Sequence, residues 1–537
     1  MTDSTQNVYL RQDIQFDPLV NDWYAWFLTI PPVTAALNIA ERFLPIMKSY
    51  VASPALHVAA CKDPAMKGGP FMNLGGGRVE EIRSLITRTS QRCAPLMELA
   101  RALKALAGLL TGKARGFAMD PLYAEVPPIL KGYVELYYDL NHNPSYRVFE
   151  SLLYSSEFYR TDIQSIALTR VDDTSRRPFI LSTPRLKDPR TVFCQIPFAS
   201  AALDELFRMK RAAGSYDHIV TALGISGEYE PLFRSFFTTQ APRSRPDREF
   251  DSDDVRIRYF GHACVLIQSR GINIMLDPAI SYEFATTLPR YTFADLPDRI
   301  DYVLITHSHH DHIILETLLQ LRHQVGTLVI GRNADGQPQD PSLQLALRKL
   351  GFTDVLEVRD LQAIAIPKGA IIALPFLGEH HDLSIQSKHG YLIRIGRRAV
   401  LIIADACNLD ICLYERVFAL TGPPDTLFLG MEVEGAPPSW LYGPLFPKPL
   451  PRPIDQSRRS RGSNLTEACA LVDRFGFERA FIYAMGQEPW VEHILDNSFT
   501  AQSPSVIQSN QFLSHCRSRA MQAERLFAMK EVVLCQN

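Results

Sequence analysis

Leu304-Ile305-Thr306-His307-Ser308-His309-His310-Asp311-His312 continues an apolar run that begins at Tyr302, and it ends a strand in three imidazoles and a carboxylate: His307, His309, Asp311 and His312. Neutral imidazole nitrogen and carboxylate oxygen are the usual protein ligands of zinc and iron. His307 and His309 stand two residues apart, so an extended chain points both the same way. Asp311 and His312 lie one step further round the turn, within reach of a second ion a few ångströms away. The alternative is a solvated turn with accidental histidines. The chain has 14 histidines in 537 residues, yet four of them, His310 included, fall between 307 and 312. That density favours a metal site.

At roughly 100–200 residues per domain, this length predicts two to four domains. Hydrophobic residues make up 46% and charged residues 21%, the balance of a soluble globular protein. A net charge of -2 gives no basic field, so neither nucleic acid nor an anionic membrane is an expected partner. The 9 cysteines are dispersed, with no C-x-x-C, which argues against a disulfide framework or a cysteine zinc site. Cys407 and Cys412 read as small buried thiols. The opening M-T-D-S-T-Q-N carries no leader pattern, and the apolar segments are too short or too charged to span a bilayer, so the expected location is the cytoplasm.

Trp23, Tyr24, Trp26 and Phe27 cluster near the start and read as core or as a subunit contact. Leu96, Leu99, Leu103, Leu106 and Leu110 recur at steps of three and four and predict an amphipathic helix stopping at Gly112. Gly75-Gly76-Gly77 lacks the context of a phosphate loop and reads as a turn. Strand-like runs at 177–181 and 192–197 and a helix at 203–212 follow. The polar segment 241–254, with two prolines, reads as a linker between an α+β unit at 1–245 and a second unit at 255–537. In the second unit, strands are expected at 255–259, 264–268, 272–276, 302–305, 327–330, 370–376, 390–395, 399–404 and 426–430, with a helix from Ile313. Asn464 and Glu467 form a capping box for a helix through Arg474. Seven prolines in 437–453 predict an irregular segment.

G-H-A-C-V-L-I at 261–267, L-D-P at 276–278, the 304–312 stretch and A-D at 404–405 together resemble the metallo-β-lactamase fold. The fold implied is an αββα sandwich with a dinuclear site at its rim. In that family a later strand end supplies a further ligand. The matching segment, F-L-G-E-H-H-D at 376–382, offers Glu379, His380 and His381, and the pattern alone leaves the choice open. A bridging aspartate at a still later strand end fits Asp405.

The whole chain, with W-Y-A-W at 23–26, Y-G-P-L at 442–445 and D-Q-S-R-R at 455–459, is similar to the diiron amino-acid β-hydroxylases of the chloramphenicol-biosynthesis type. That resemblance implies two iron ions and makes Glu379 a ligand. It assigns His307, His309 and Glu379 to one metal and Asp311, His312 and Asp405 to the other, with Glu379 and Asp405 nearest the chemistry. His262, His310, His380, His381 and Asp277 are candidates to orient these ligands. The last histidine that hydrolases carry is missing from Y-A-M-G-Q-E-P-W at 483–490, and neither Glu488 nor His493 is assigned as a ligand. Three carboxylates suit iron better than an imidazole-rich set does. The implied activity is an oxygen-dependent monooxygenation at the β-carbon of an aromatic amino acid, held as a thioester on a carrier domain of a nonribosomal peptide synthetase. O2 is co-substrate, and an external electron donor is needed because no flavin or nicotinamide fingerprint is visible. A homodimer is a further expectation; the basic run at Arg458 and Arg459 reads as a solvated face, and the resemblance implies in addition a contact with the carrier. The competing reading is a dinuclear zinc hydrolase acting on a thioester, ester or lactam.

Overall fold

A computed structural model describes residues 7–172, 175–225, 227–243 and 245–536 of the chain. Residues 1–6, which hold most of the leader reading, lie outside them.

From Val255 onward the short apolar runs pair into two seven-stranded sheets. The first has the order Val355–Val358, Val325–Gly331, Ile300–Leu304, Ile272–Leu276, Cys264–Ser269, Val255–Gly261, Lys530–Leu534. The second runs Ala363–Ile366, Gly369–Leu374, Gly390–Ile395, Arg398–Ile402, Thr426–Gly430, Arg479–Tyr483, Gln522–Arg525. The period of two along each strand divides the first sheet's side chains between two cores. Val265, Ile267, Ile274, Leu304 and Val329 pack with the second sheet. Leu266, Met275, Val303, Leu328 and Ile330 pack on the other side with Phe16 and Phe207 of the N-terminal part. The sheet is covered on both faces, and Val255–Gly261 is buried along its whole length although it carries Arg256 and Arg258; Arg256 is satisfied by Gln268 Oε1 at 2.8 Å and Arg258 by the Arg248 carbonyl at 3.2 Å. Helices Ile411–Thr421, Leu465–Phe475 and Pro504–Ser518 pack into the core of the second sheet. The expected αββα sandwich is thus present.

Parallel pairing sets the site. Ile272–Leu276 and Ile300–Leu304 run parallel with Leu276 opposite Leu304, so Asp277 and the histidine loop leave the sheet side by side. Arg398–Ile402 and Thr426–Gly430 run parallel with Ile402 opposite Phe428, which brings Asp405 beside Glu432. Ligand sites of open α/β sheets lie beyond such carboxyl ends.

The N-terminal part holds a four-stranded sheet, Trp23–Tyr24, Ile14–Val20, Gln164–Arg170, Thr191–Cys194, with helices that include Val79–Arg92 and Ala94–Lys113. Trp23, Tyr24, Trp26 and Phe27 are buried within the chain, so they are core and not a subunit contact. The leucine stripe faces that core, but its helix runs through Gly112 and stops at Lys113. The expected strand at 177–181 does not form, because Pro178 cannot donate to a ladder and a turn follows. The segment 437–453 is less irregular than expected. Pro438–Leu441 and Gly443–Leu445 are short helical turns and Arg452–Ser457 is a short helix, each with proline in its first turn, where the missing N–H costs nothing. The capping box forms as expected: Glu467 N donates to Asn464 Oδ1 at 3.0 Å, and Asn464 N donates to Glu467 Oε2 at 3.0 Å. All nine cysteines are free; Cys407 is buried, whereas Cys412 is exposed on its helix.

Helix Leu315–Leu321 lies between the N-terminal part and the first sheet, with every residue buried. Its Glu316 therefore needs partners. Tyr24 and Tyr282 donate to its two oxygens at 2.7 and 2.6 Å, and Arg177 reaches both Glu316, at 2.7 Å, and Asp17, at 2.8 Å. No helix among the described residues is long and apolar enough to cross a membrane.

Candidate metal centre

Asp277 organises the histidine loop. Thr306 donates to it through N, at 2.8 Å, and Oγ1, at 2.6 Å, and His312 Nδ1 reaches its Oδ2 at 2.8 Å. Thr306 Oγ1, already donating to Asp277, accepts from His307 Nδ1 at 3.0 Å. With Nδ1 of both rings committed, their Nε2 lone pairs turn into the site. Nε2 of His307, His309 and His312 and Oδ1 of Asp405 are buried without a hydrogen-bond partner among the described residues.

Asp405 Oδ2 is 2.9 Å from His312 Nε2 and 3.8 Å from His307 Nε2. Asp311 Oδ2 is 3.6 Å from His312 Nε2, and His309 Nδ1 is 2.9 Å from Glu379 Oε1. Two donors about 2.1 Å from one ion, at right angles, stand about 3 Å apart. The six residues singled out in the sequence come together around one space: donor atoms of His307, His312 and Asp405 lie within 4.8 Å of one another, as do those of Asp311, His312 and His262, whereas Glu379 joins through His309 Nδ1 and His380 is the donor grouped with His307 and His309.

Burial, reinforced by neighbouring imidazoles, holds His307 well below the usual histidine range, and burial takes His309 down to about 4 despite Asp311. Both rings stay neutral, as ligation requires. Burial opposes charge on His312 as well, but Asp311, Asp405 and Asp277 outweigh it and raise that group. Burial and the carboxylates of Asp405 and Asp311 push Glu379 well above the carboxylate range. Four acids crowded in this way call for positive charge between them. Unpartnered nitrogens and crowded oxygens make a donor set that fits two iron ions.

Glu432 is the site residue that sequence reasoning missed. Burial, then Asp405, Glu379 and Asp311, drive it upward as well, and Asn497 donates to its Oε1 at 3.1 Å. Its position two residues beyond the expected 426–430 strand was the available signal.

The loop after Gly369–Leu374 keeps two donors near His309. His380 has both ring nitrogens buried without partners, its ring centre 4.4 Å from that of His309, and one of its nitrogens lies within 4.8 Å of nitrogens of His307 and His309. His381 turns away: its Nδ1 meets Arg458 O at 2.8 Å, while Arg458 Nε donates to His381 O at 2.8 Å. Glu379, His381 and Asp382 have φ of 64°, 56° and 56°, with Asp277 at 39° and Ala404 at 44° nearby. Left-handed backbone on non-glycine residues costs about 1–3 kcal/mol each and gathers at functional sites. Gly378 is required in this loop, since a Cβ there would meet Cys407 Sγ at 2.7 Å.

The remaining candidates hold the frame. His262 Nε2 is 3.1 Å from Asp311 Oδ2, and His310 Nε2 is 3.0 Å from Ile494 O. Glu488 accepts from Tyr259 at 2.6 Å, and His493 Nε2 lies 3.6 Å from Glu316 Oε2, so both are engaged elsewhere. A cavity of about 560 Å³ opens onto Asp311, Glu379, Asp405 and Glu432. Phe71 and Phe179 of the N-terminal part, with Trp440 and Phe499, give it apolar walls.

Two stacked sheets with this loop at their rim define a metallo-β-lactamase-type dinuclear centre. Residues 256–372 match the beta-lactamase superfamily domain, and residues 9–242 match the diiron non-heme beta-hydroxylase N-terminal domain. The chain is 39% identical over 522 residues, 96% of its length and 98% of the other's, to the 4-amino-L-phenylalanyl-[CmlP-peptidyl-carrier-protein] 3-hydroxylase of Streptomyces venezuelae. The crystal structure of CmlA, a diiron beta-hydroxylase from the same organism, superposes with a TM-score of 0.91 at 38% identity, covering 98% of this chain and 100% of that one. A metal-dependent hydrolase of Exiguobacterium is also 39% identical, but over 59 residues, 11% of this chain and 24% of that one. The chain belongs to the CmlA-type diiron β-hydroxylases and is a non-haem diiron enzyme that uses two iron ions and O2. The hydrolase reading is set aside.

Proposed function

We propose that this enzyme hydroxylates the β-carbon of an aromatic amino acid carried as a thioester on a carrier domain of a nonribosomal peptide synthetase, in antibiotic biosynthesis. The observation that carries the reading is the cavity, which joins the acid-rich metal centre to aromatic walls from both halves of a chain similar along its whole length to a carrier-dependent hydroxylase. Residues 1–245 and 255–537 act as two domains, the first closing the substrate channel over the second.

His307, His309 and Glu379 would hold one iron and Asp311, His312 and Asp405 the other, with Glu432 as a further carboxylate toward the acid cluster. Iron bound there supplies the redox capacity for O2 activation, which zinc lacks. The protein's own part is positioning. Asp277 and Thr306 fix the tautomers of His307 and His312. Phe71 and Phe179 exclude water and seat an aromatic ring with its β-carbon toward the carboxylates. Electrons come from an external donor.

Lys67, Arg452 and Arg459 line the same cavity, where the phosphodiester of a phosphopantetheine arm would pass. Arg458 has a different role, because its guanidinium holds the His381 carbonyl. Arg459→Ala is expected to raise KM for the loaded carrier about tenfold with iron content unchanged, while Arg458→Ala lowers iron content by loosening the 378–382 loop. Steady-state kinetics and metal analysis check both.

The direct test incubates iron-loaded enzyme, a chemical reductant and an aminoacyl carrier under isotope-labelled O2. Gain of one labelled oxygen on the acyl group is the expected result. Release of free amino acid without O2 would overturn the reading in favour of thioester hydrolysis.

A further inference from the structure

Two acids leave the Thr426–Gly430 strand, in the order Glu432-Val433-Glu434. Both acids line the cavity, whereas Val433 is held by its backbone, whose N donates to Ser505 Oγ at 3.0 Å. Glu432 is accounted for by the metal centre. Glu434 is not. It is exposed in the cavity and makes no hydrogen bond or ion pair with any described residue.

An uncompensated carboxylate here has a cost. It opposes any anionic arm threading past, and the cavity otherwise carries cations toward such an arm at Lys67, Arg452 and Arg459. A solvated rim acid could sit anywhere on the surface. This one sits two residues from a side chain that faces the acid cluster. An aminoacyl thioester brings one cation, the α-ammonium, bonded to the carbon next to the one to be hydroxylated. From Cβ to the α-nitrogen is about 2.5 Å across two bonds of about 1.5 Å. Two residues along the chain separate Glu434 from Glu432 by at most about 7 Å. With Cβ facing the carboxylates of Asp405 and Glu432, the ammonium falls within reach of Glu434.

We propose that Glu434 is the receptor for the substrate's α-ammonium group, and that it fixes which face of Cβ meets the metal centre. This rests on the aminoacyl-carrier reading above. A charge-assisted pair in a partly enclosed cavity gives both affinity and orientation.

The test compares wild-type enzyme with Glu434→Gln, which keeps the shape and removes the charge, on two carriers. One holds the aromatic aminoacyl group and the other its des-amino 3-arylpropionyl analogue. The expected result is a loss of about 10- to 100-fold in kcat/KM on the aminoacyl carrier, mostly through KM, with little change on the des-amino carrier and an unchanged iron content and optical spectrum. Wild-type kinetics in the variant, or an equal loss on both carriers, would overturn the assignment. Wild-type enzyme that oxidises the des-amino carrier but not the aminoacyl one would overturn it together with the aminoacyl substrate, while leaving oxidation of a carrier-bound acyl group standing. No oxidation of either carrier would mark failure of the hydroxylase reading itself, and the assignment would fall with it.

Discussion

Asp405→Ala is expected to purify with less than about a tenth of the wild-type iron and with no measurable hydroxylation, because second-sphere changes alone cost about 10- to 100-fold in metal affinity and Asp405 lies at the centre of the donor set. Its Oδ2 sits 2.9 Å from His312 Nε2 and 3.8 Å from His307 Nε2, so one truncation takes an oxygen from both halves of the centre. It also leaves Glu379 and Glu432 facing a space without that carboxylate. Metal analysis and the optical spectrum of the purified variant check this. Full iron occupancy in Asp405→Ala would remove Asp405 from the ligand set.

The second large effect lies at the junction of the two halves. Glu316→Ala is expected to destabilise the protein by about 3–5 kcal/mol, the cost of leaving one partner of a buried ion pair alone. Arg177 would keep Asp17 but lose its 2.7 Å contact, and the hydroxyls of Tyr24 and Tyr282 would lose their acceptor. The pH dependence has a definite sign. Burial alone would raise the Glu316 carboxyl, but Arg177 and His493 outweigh it and hold the folded-state value well below the usual range. A depressed carboxyl contributes stability above its unfolded value, near 4.3, and loses that contribution as pH falls through the acid range. Wild type should therefore lose this contribution below about pH 4–5, whereas Glu316→Gln, with no charge to protonate, should show a flatter acid limb. Thermal midpoints between pH 7 and pH 3 measure both. Equal acid slopes for the two proteins would show that the pair contributes nothing to pH-dependent stability.

The metal loop was legible because all its information is local. Five ligand-type side chains among the six residues 307–312, just after a strand end, require no knowledge of the rest of the fold. The capping box at Asn464 was legible for the same reason. What the sequence hid was non-local. Ile14–Val20 is buried along its whole length and pairs with Gln164–Arg170, yet it contains Gln15, Asp17 and Pro18 and reads as no strand at all. Asp17 is tolerated there because Arg177 and Arg185 arrive from far along the chain and Gln15 donates to it from the same strand. Pro178 spoiled the neighbouring strand expectation, and helix Ala94–Lys113 kept Gly112 because its leucine face is packed to the end. Glu432 escaped because an isolated acid after a strand acquires meaning only when parallel pairing sets it beside Asp405.

Choice of donor at the 378–382 loop decides whether this centre is an acid-rich iron site or an imidazole-rich one. Glu379 and His380 both lie close to His309. Diffraction from crystals of the iron-loaded enzyme, with anomalous data at the iron edge, separates them. The expected result is a Glu379 oxygen about 2 Å from the iron that His307 and His309 bind, with His380 outside bonding distance. A His380 nitrogen in that position, with the Glu379 carboxylate turned away, would contradict it.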